Sequence, residues 1–270
     1  MPSKYFIDGS TLTDMADAVR GLTGSSSAFT PAQMISEING YTPSIFVSTI
    51  YPSQYRNNGL SYIEDNNTIF MLSYAFQNCS NLTTVNFHKC ILVGNSAFQS
   101  CSKLSTISFP QCSHISSQAF QNCYSLSIAS FPQCSYIENS VFDNCTELET
   151  ISFPQCNYMG NYAFRSCSKL TNVNFPQCSR IGMSAFNDCT SLTTASFPKC
   201  DYIAYSAFNR CINLTTIYIG TQLDIICAMA GSNAFDNCST LNSIYVPLSL
   251  ADDYKTANNW SYFSSKIVGI

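Results

Sequence analysis

The dipeptide Ala-Phe returns at a fixed interval. It stands at Ala75-Phe76, Ala97-Phe98, Ala119-Phe120, Ala163-Phe164, Ala185-Phe186 and Ala207-Phe208, with Val141-Phe142 in the same phase, and the interval is 22 residues throughout. A last copy, Ala234-Phe235, arrives after 27 residues, so five residues are inserted around Asp224 to Gly231. Aligned on the phenylalanine, the unit reads A-F-x-x-C-x-x-L-x-x-I-x-F-P-x-C-x-x-I. The register absorbs 14 of the 15 cysteines and leaves Cys227 in the insertion.

A period in the twenties with a fixed pattern of Leu, Ile, Phe and Cys predicts a leucine-rich-repeat solenoid of about eight turns. The alternation Ile-x-Phe, as in Thr106-Ile107-Ser108-Phe109, predicts one short parallel strand per turn, with Ile and Phe inward and small polar residues outward. Proline follows the strand at Pro110, Pro132, Pro154, Pro176, Pro198 and Pro247 and ends it, since proline has no N–H to give a ladder. His88 and Gly220 take its place in two copies. The rest of each turn is too short for more than a helical turn or coil. An isolated turn buries too little to offset the ordering of its backbone, so the stack folds as one array.

The expected organisation is a helical N-terminal region over 1–50, the solenoid over 51–248 with 51–72 as a degenerate capping repeat, and a C-terminal cap over 249–270. Ser10 to Arg20 places Leu12, Met15, Ala16 and Val19 on one helical face. Thr30-Pro31-Ala32-Gln33 then reads as a capping box with proline in the first turn, ahead of a stop at Asn39-Gly40. In the tail, Ser249 with Asp252 reads as a helix N-cap with an acidic first turn. Trp260, the single tryptophan, is expected to cover the last turn's open apolar edge.

The chain is only 10% charged at 46% hydrophobic, with a net charge of -4. No basic field is available for a phosphate backbone, so nucleic acid is not an expected partner. The apolar runs fall far short of the roughly 20 residues that cross a bilayer, so no membrane insertion is expected. Met1 to Asp8 has no apolar run of the kind a secretory leader carries.

The motif Ala-Phe-x-x-Cys-x-x-Leu-x-x-Ile-x-Phe-Pro closely resembles the BspA-like, Treponema-type leucine-rich repeats, over about Ser73 to Leu248. The tail, from Val246-Pro247 through Leu250-Ala251-Asp252-Asp253-Tyr254-Lys255 and Asn259-Trp260-Ser261 to Lys266-Ile267-Val268, is similar to that family's C-terminal cap. The resemblance implies an extracellular or cell-surface protein of gut or oral bacteria, an adhesin or binding scaffold with a protein or glycan ligand on another cell. It brings no catalytic residues. The N-terminal helix pair is similar to a segment of phage tail-associated proteins. That implies the alternative of a phage or prophage receptor-binding or structural protein, carried on a virion.

Same-phase cysteines in neighbouring turns are expected about 4.8 Å apart, inside the Cα range of a disulfide. Their Cα–Cβ vectors run parallel, however, which forbids the disulfide torsion of roughly 90°. Buried free thiols acting as small apolar fillers are expected. The C-x10-C spacing, with only His88 and His114 available, gives no zinc site, and no cofactor is expected. The two histidines read as solvated substitutions without an acidic partner. Glu138, Glu147, Glu149 and Asp143 read equally well as an exposed acidic patch or an acid/base pair. No enzymatic activity is expected.

Binding has better candidates. The outward strand positions form two uncharged columns, Thr84, Thr106, Ile128, Thr150, Asn172, Thr194, Thr216 and Ser243 beside Asn86, Ser108, Ser130, Ser152, Asn174, Ser196, Tyr218 and Tyr245. A third column, two residues after the second cysteine, runs Leu92, His114, Tyr136, Tyr158, Arg180 and Tyr202 and is expected at the surface. Tyrosines one turn apart there can stack into an amphipathic strip. Tyr136, Tyr158, Tyr202, Arg180, His114, Asn174, Tyr218 and Tyr245 are the candidate ligand-binding residues, on a chain expected to act as a monomer.

Overall fold

A computed structural model describes residues 60–270 and the backbone of the strand Thr49–Ile50. The N-terminal helix pair and residues 51–59 of the degenerate first repeat lie outside the described residues. What is described is a parallel β-solenoid of about nine turns. The expected Ile-x-Phe strand recurs from Tyr62–Glu64 to Ser243–Val246, in sheets of three, two and five strands. The closing strand Ile267–Gly269 pairs with Ser243–Val246 and extends the last of these sheets.

The structure adds a second strand to each turn, where coil or a helical turn is expected. Phe70–Met71, Leu92–Val93, His114–Ile115, Tyr136–Ile137, Tyr158–Met159, Arg180–Ile181, Tyr202–Ile203 and Ala228–Met229 join Thr49–Ile50 in one nine-stranded parallel sheet. Two-residue strands suffice because each of the seven inner ones finds a partner on both sides, so pairing across turns replaces strand length.

The Ala-Phe segment is held in a third way. Alternate N–H groups, such as those of Ser96, Phe98 and Ser100, donate to Ser117, Ala119 and Gln121 of the next turn at 2.8 to 3.0 Å. Those between them, such as those of Gln99 and Cys101, close tight turns within their own repeat. To aim successive amides this way, the residues two before and two after the phenylalanine take left-handed backbone, for example Ser96 at φ 52° and Ser100 at φ 61°. Asn78, Asn122, Asn144 and Asn237 suit that region, whereas Ser166, Gln118 and Arg210 adopt it under the demand of the inter-turn bonds.

The core is two files of phenylalanine. Phe76, Phe98, Phe120, Phe142, Phe164, Phe186, Phe208 and Phe235 stack at centroid distances of 5.1 to 5.4 Å. Phe87, Phe109, Phe131, Phe153, Phe175 and Phe197 form the second file, and edge or tilted contacts such as Phe153–Phe164 at 5.9 Å knit the two together. All 15 cysteines are free thiols, and all but Cys238 are fully classed as buried.

These thiols do more than fill space. Cys101, Cys123, Cys145, Cys167, Cys189 and Cys211 donate to the carbonyl of the phenylalanine in the preceding turn at 3.1 to 3.2 Å. Each such carbonyl, Phe98 for one, already accepts from a backbone N–H, and the thiol occupies its second lone pair. Burial pushes Cys90 and Cys134 up to about 12, so they stay protonated and able to donate.

At the C-terminal end the helix Ala251–Thr256 has Asp252 and Asp253 in its first turn, as expected, but its N-cap is Leu250 without a side-chain bond. The expected cap, Ser249, lies instead inside a short 3-10 turn, Leu248–Leu250, that leads straight into the helix. Trp260 is 1% exposed and covers Phe235 at 6.3 Å. The cap also grips the insertion: Cys227 N–H donates to Tyr254 Oη at 2.7 Å, Trp260 Nε1–H to Cys227 O at 2.6 Å, and Asn259 Nδ2 to Met229 O at 2.8 Å.

Candidate functional site

The third sequence column runs along the nine-stranded sheet, with Tyr136, Tyr158 and Tyr202 half-buried and Arg180 exposed, whereas Leu92, expected at the surface with them, is fully buried. Strand pairing sets Leu92, His114, Tyr136, Tyr158, Arg180, Tyr202 and Ala228 side by side in unbroken register. Each is followed by a buried residue (Ile115, Ile137, Met159, Ile181, Ile203) that anchors the strand from inside. The second cysteine of the turn adds a further tether. Cys112, Cys134, Cys156, Cys178 and Cys200 donate to the carbonyls of His114, Tyr136, Tyr158, Arg180 and Tyr202 at 3.2 to 3.3 Å.

With the backbone fixed at the strand spacing, the side chains stack. The His114 ring lies 5.3 Å from Tyr136 at 5°, Tyr136 lies 4.5 Å from Tyr158 at 5°, and the Arg180 guanidinium sits 4.5 Å above Tyr202. Five of the eight predicted residues thus share one strand register, with His114, Tyr136 and Tyr158 in one stack and Arg180 on Tyr202 in a second. Both faces of Tyr136 and one face each of Tyr158 and Tyr202 are taken by neighbours, so ring edges, phenol groups and the exposed Arg180 make up much of what a partner meets. Burial, and then the neighbouring Tyr158 and Glu138, push the Tyr136 phenol up to about 12, leaving it a neutral donor and acceptor.

The expectation of a solvated, acid-free His114 is corrected. The residue is 7% exposed, and its Nε2 lies 2.7 Å from Glu138 Oε1. The other carboxylate oxygen accepts from Ser117 N–H at 2.9 Å and Ser117 Oγ at 2.7 Å. Burial raises the Glu138 carboxyl, but the His114 and Ser117 hydrogen bonds outweigh it and hold the group below its usual range. An ionised carboxylate only accepts, so His114 Nε2 carries the proton. The acid lies between serine and histidine, whereas activation of a serine needs the histidine between serine and acid. The group therefore clamps the end of the file and activates no nucleophile. His88 is exposed as expected, but it too has an acidic neighbour: its Nε2 lies 3.8 Å from Glu64 Oε1, with Asn86 Nδ2 at 3.0 Å.

The acidic patch also resolves into pairs. Asp143 is 2% exposed, receives both Arg165 Nε and Nη2 at 2.8 and 2.7 Å, and accepts from Gln121 at 2.9 Å. Gln77, Gln99 and Gln121 pass amide hydrogen bonds of 2.6 Å along the stack to this carboxylate. Glu147 pairs with Lys169 at the surface. Sequence reasoning missed both networks because each joins residues one turn apart, and only the phase Phe+1, read down the repeats as Gln77, Gln99, Gln121, Asp143, Arg165, signals the second.

Asn174, Tyr218 and Tyr245 are not brought to this file. They stand on the five-stranded sheet, where Tyr218 and Tyr245 stack at 4.8 Å and Asn174 is exposed two strands away. Among the described residues no helix is long and apolar enough to cross a membrane.

A family model described as the BspA type leucine rich repeat region matches residues 70–193 and 157–264. Among solved structures, the leucine rich repeat protein of T. pallidum is similar at 20% identity over 74% of this chain and 89% of its own, with a TM-score of 0.50. A leucine rich cell surface protein from Faecalibacterium prausnitzii matches at 19% identity over 83% of this chain and 82% of its own, with a TM-score of 0.43. At such identity the likeness to the T. pallidum protein is one of fold. No curated protein matches the chain.

Proposed function

Because the chain belongs to the family of BspA-type leucine-rich-repeat proteins, we propose that it is a non-catalytic recognition scaffold that binds a surface protein of another cell through the file from His114 to Tyr202. The stacked register of that file carries the reading. Tyrosine and arginine are the side chains that most often dominate interfaces. Here they are immobilised before binding, by strand pairing, stacking and the His114–Glu138 clamp, so little side-chain freedom is lost on association. A sugar ring would seek an open aromatic face, and Tyr136, at the centre of the stack, is covered on one side by His114 and on the other by Tyr158. Exposed edges and phenols favour a protein surface over a glycan as the ligand.

The test is a binding screen of the intact chain against epithelial cells and matrix proteins, with protease-treated and glycosidase-treated cells in parallel. Binding is expected to survive the glycosidase and to be lost with protease. A folded Tyr136→Ala, Tyr158→Ala, Tyr202→Ala triple variant is expected to lose at least about tenfold in affinity, the scale of one lost hot spot. Tyr218→Ala with Tyr245→Ala, on the other sheet, is expected to bind as the parent does. A folded triple variant that binds like the parent sinks the assignment of the file.

A further inference from the structure

Cys227 sits differently from the second cysteines of the other turns. The second cysteine of a turn normally precedes the outward residue by two positions and donates to that residue's carbonyl, as Cys200 does to Tyr202. Cys227 precedes Ala228, the strand partner of Tyr202, by only one position. Its thiol reaches Ala228 O only at 3.7 Å and turns instead toward Cys200 Sγ, 3.8 Å away. In-register cysteines carry parallel Cα–Cβ vectors and cannot meet the disulfide torsion. The insertion sets this pair one residue out of register, so the parallel alignment imposed on in-register cysteines is not imposed on it.

Its surroundings differ as well. Cys227 is buried, but Asp224, Ile225 and Ala228 around it are exposed, so a local opening of the insertion uncovers it. Its backbone N–H and carbonyl are held by Tyr254 and Trp260 of the C-terminal cap. A covalent link from Cys200 to Cys227 therefore ties that cap, through the insertion, to the preceding turn.

We propose that Cys200 and Cys227 are a peroxide-oxidised pair that closes into a disulfide and locks the C-terminal end of the solenoid. In the first step the Cys227 sulfur attacks hydrogen peroxide. The O–O bond breaks, an S–O bond forms, the thiol proton leaves with the departing oxygen as water, and Cys227 becomes a sulfenic acid. The Cys200 sulfur then attacks the Cys227 sulfur, the S–S bond forms, the S–O bond breaks, and the second thiol proton leaves in a second water. Two thiols lose two electrons and one peroxide is reduced to two waters. Burial pushes the Cys200 thiol well up, so the closure is slow beside that of an exposed thiol.

The fully reduced chain is treated with hydrogen peroxide, quenched, alkylated and mapped by peptide mass. The fifteen free thiols are expected to fall to thirteen, with a Cys200–Cys227 cross-linked peptide and a thermal midpoint several degrees higher. Cys227→Ser under the same treatment is expected to keep all its remaining thiols and an unchanged midpoint. If that variant does not fold, Cys200→Ser takes its place with the same expectation. A cross-link between in-register cysteines such as Cys156 and Cys178, survival of all fifteen thiols, or further oxidation of Cys227 without a cross-link each overturns the proposal.

Discussion

Phe142→Ala is expected to lower the free energy of unfolding by about 3 to 5 kcal/mol, the scale of a buried phenylalanine truncation. Phe142 is wholly buried and stacks on Phe120 at 5.4 Å and Phe164 at 5.3 Å, with Phe131 and Phe153 at 6.1 and 5.8 Å from the other file. Its loss removes contacts to the turn before and the turn after at the same moment. In an array where each turn touches only its neighbours, that weakens two adjacent interfaces near the middle of the chain. Urea unfolding is therefore expected to show a lower midpoint and a broadened or split transition, as the two halves unfold apart. A single sharp transition with a loss under about 1 kcal/mol, less than the roughly 1.5 to 3 kcal/mol that burial of a phenylalanine alone is worth, would contradict a core built on the two files.

Trp260→Ala is expected to cost a similar amount, about 3 to 5 kcal/mol, but at one end only. The indole packs on Phe235 and lies 5.2 Å from Tyr254, and its N–H satisfies Cys227 O. Truncation opens the last phenylalanine of the file to water and leaves the carbonyl of the insertion without its indole donor. Hydrogen exchange should accelerate over the strands Thr216–Ile219 and Ser243–Val246, while protection around Phe120 to Phe164 stays as in the parent. Trp260→Phe restores packing without the N–H and is expected to lose only about 1 to 2 kcal/mol. Uniform loss of protection along the whole array would contradict a cap that acts locally.

Much of this architecture is legible in the sequence because a solenoid repeats its instructions. The inward set of each turn, from Phe76 and Leu82 to Phe87 and Cys90, is read by phase alone, and the role of Trp260 from its being the single tryptophan, placed after the last repeat. The second ladder is not, since a strand such as Tyr136–Ile137 offers one outward and one inward residue and no alternation to detect. The left-handed residues were equally hidden. Ser, Gln and Arg have no preference for that region, and only the inter-turn amide bonds explain their conformation. For the candidate site, the column from His114 to Tyr202 and the stacking of its tyrosines follow from spacing. The burial of His114 does not, because it depends on Glu138 and Ser117 folding back from the next turn and from its own. Ser249 shows the opposite failure: its local signal is sound for an N-cap, but the chain arrives from Pro247 already turning, and the position is taken.

The central claim is that one unbroken register of turns sets the core, the thiol ladders and the outward file alike. Counting thiols tests it most directly, since nearly every turn contributes two. On protein purified without reductant and kept from peroxide, the account predicts almost no reaction with an aromatic disulfide reagent in the native state and fifteen thiols once the chain is denatured. Rapid native reaction of several thiols, or fewer than about thirteen in the denatured chain, would mean that cysteines are exposed or paired within the ladders, and would contradict it.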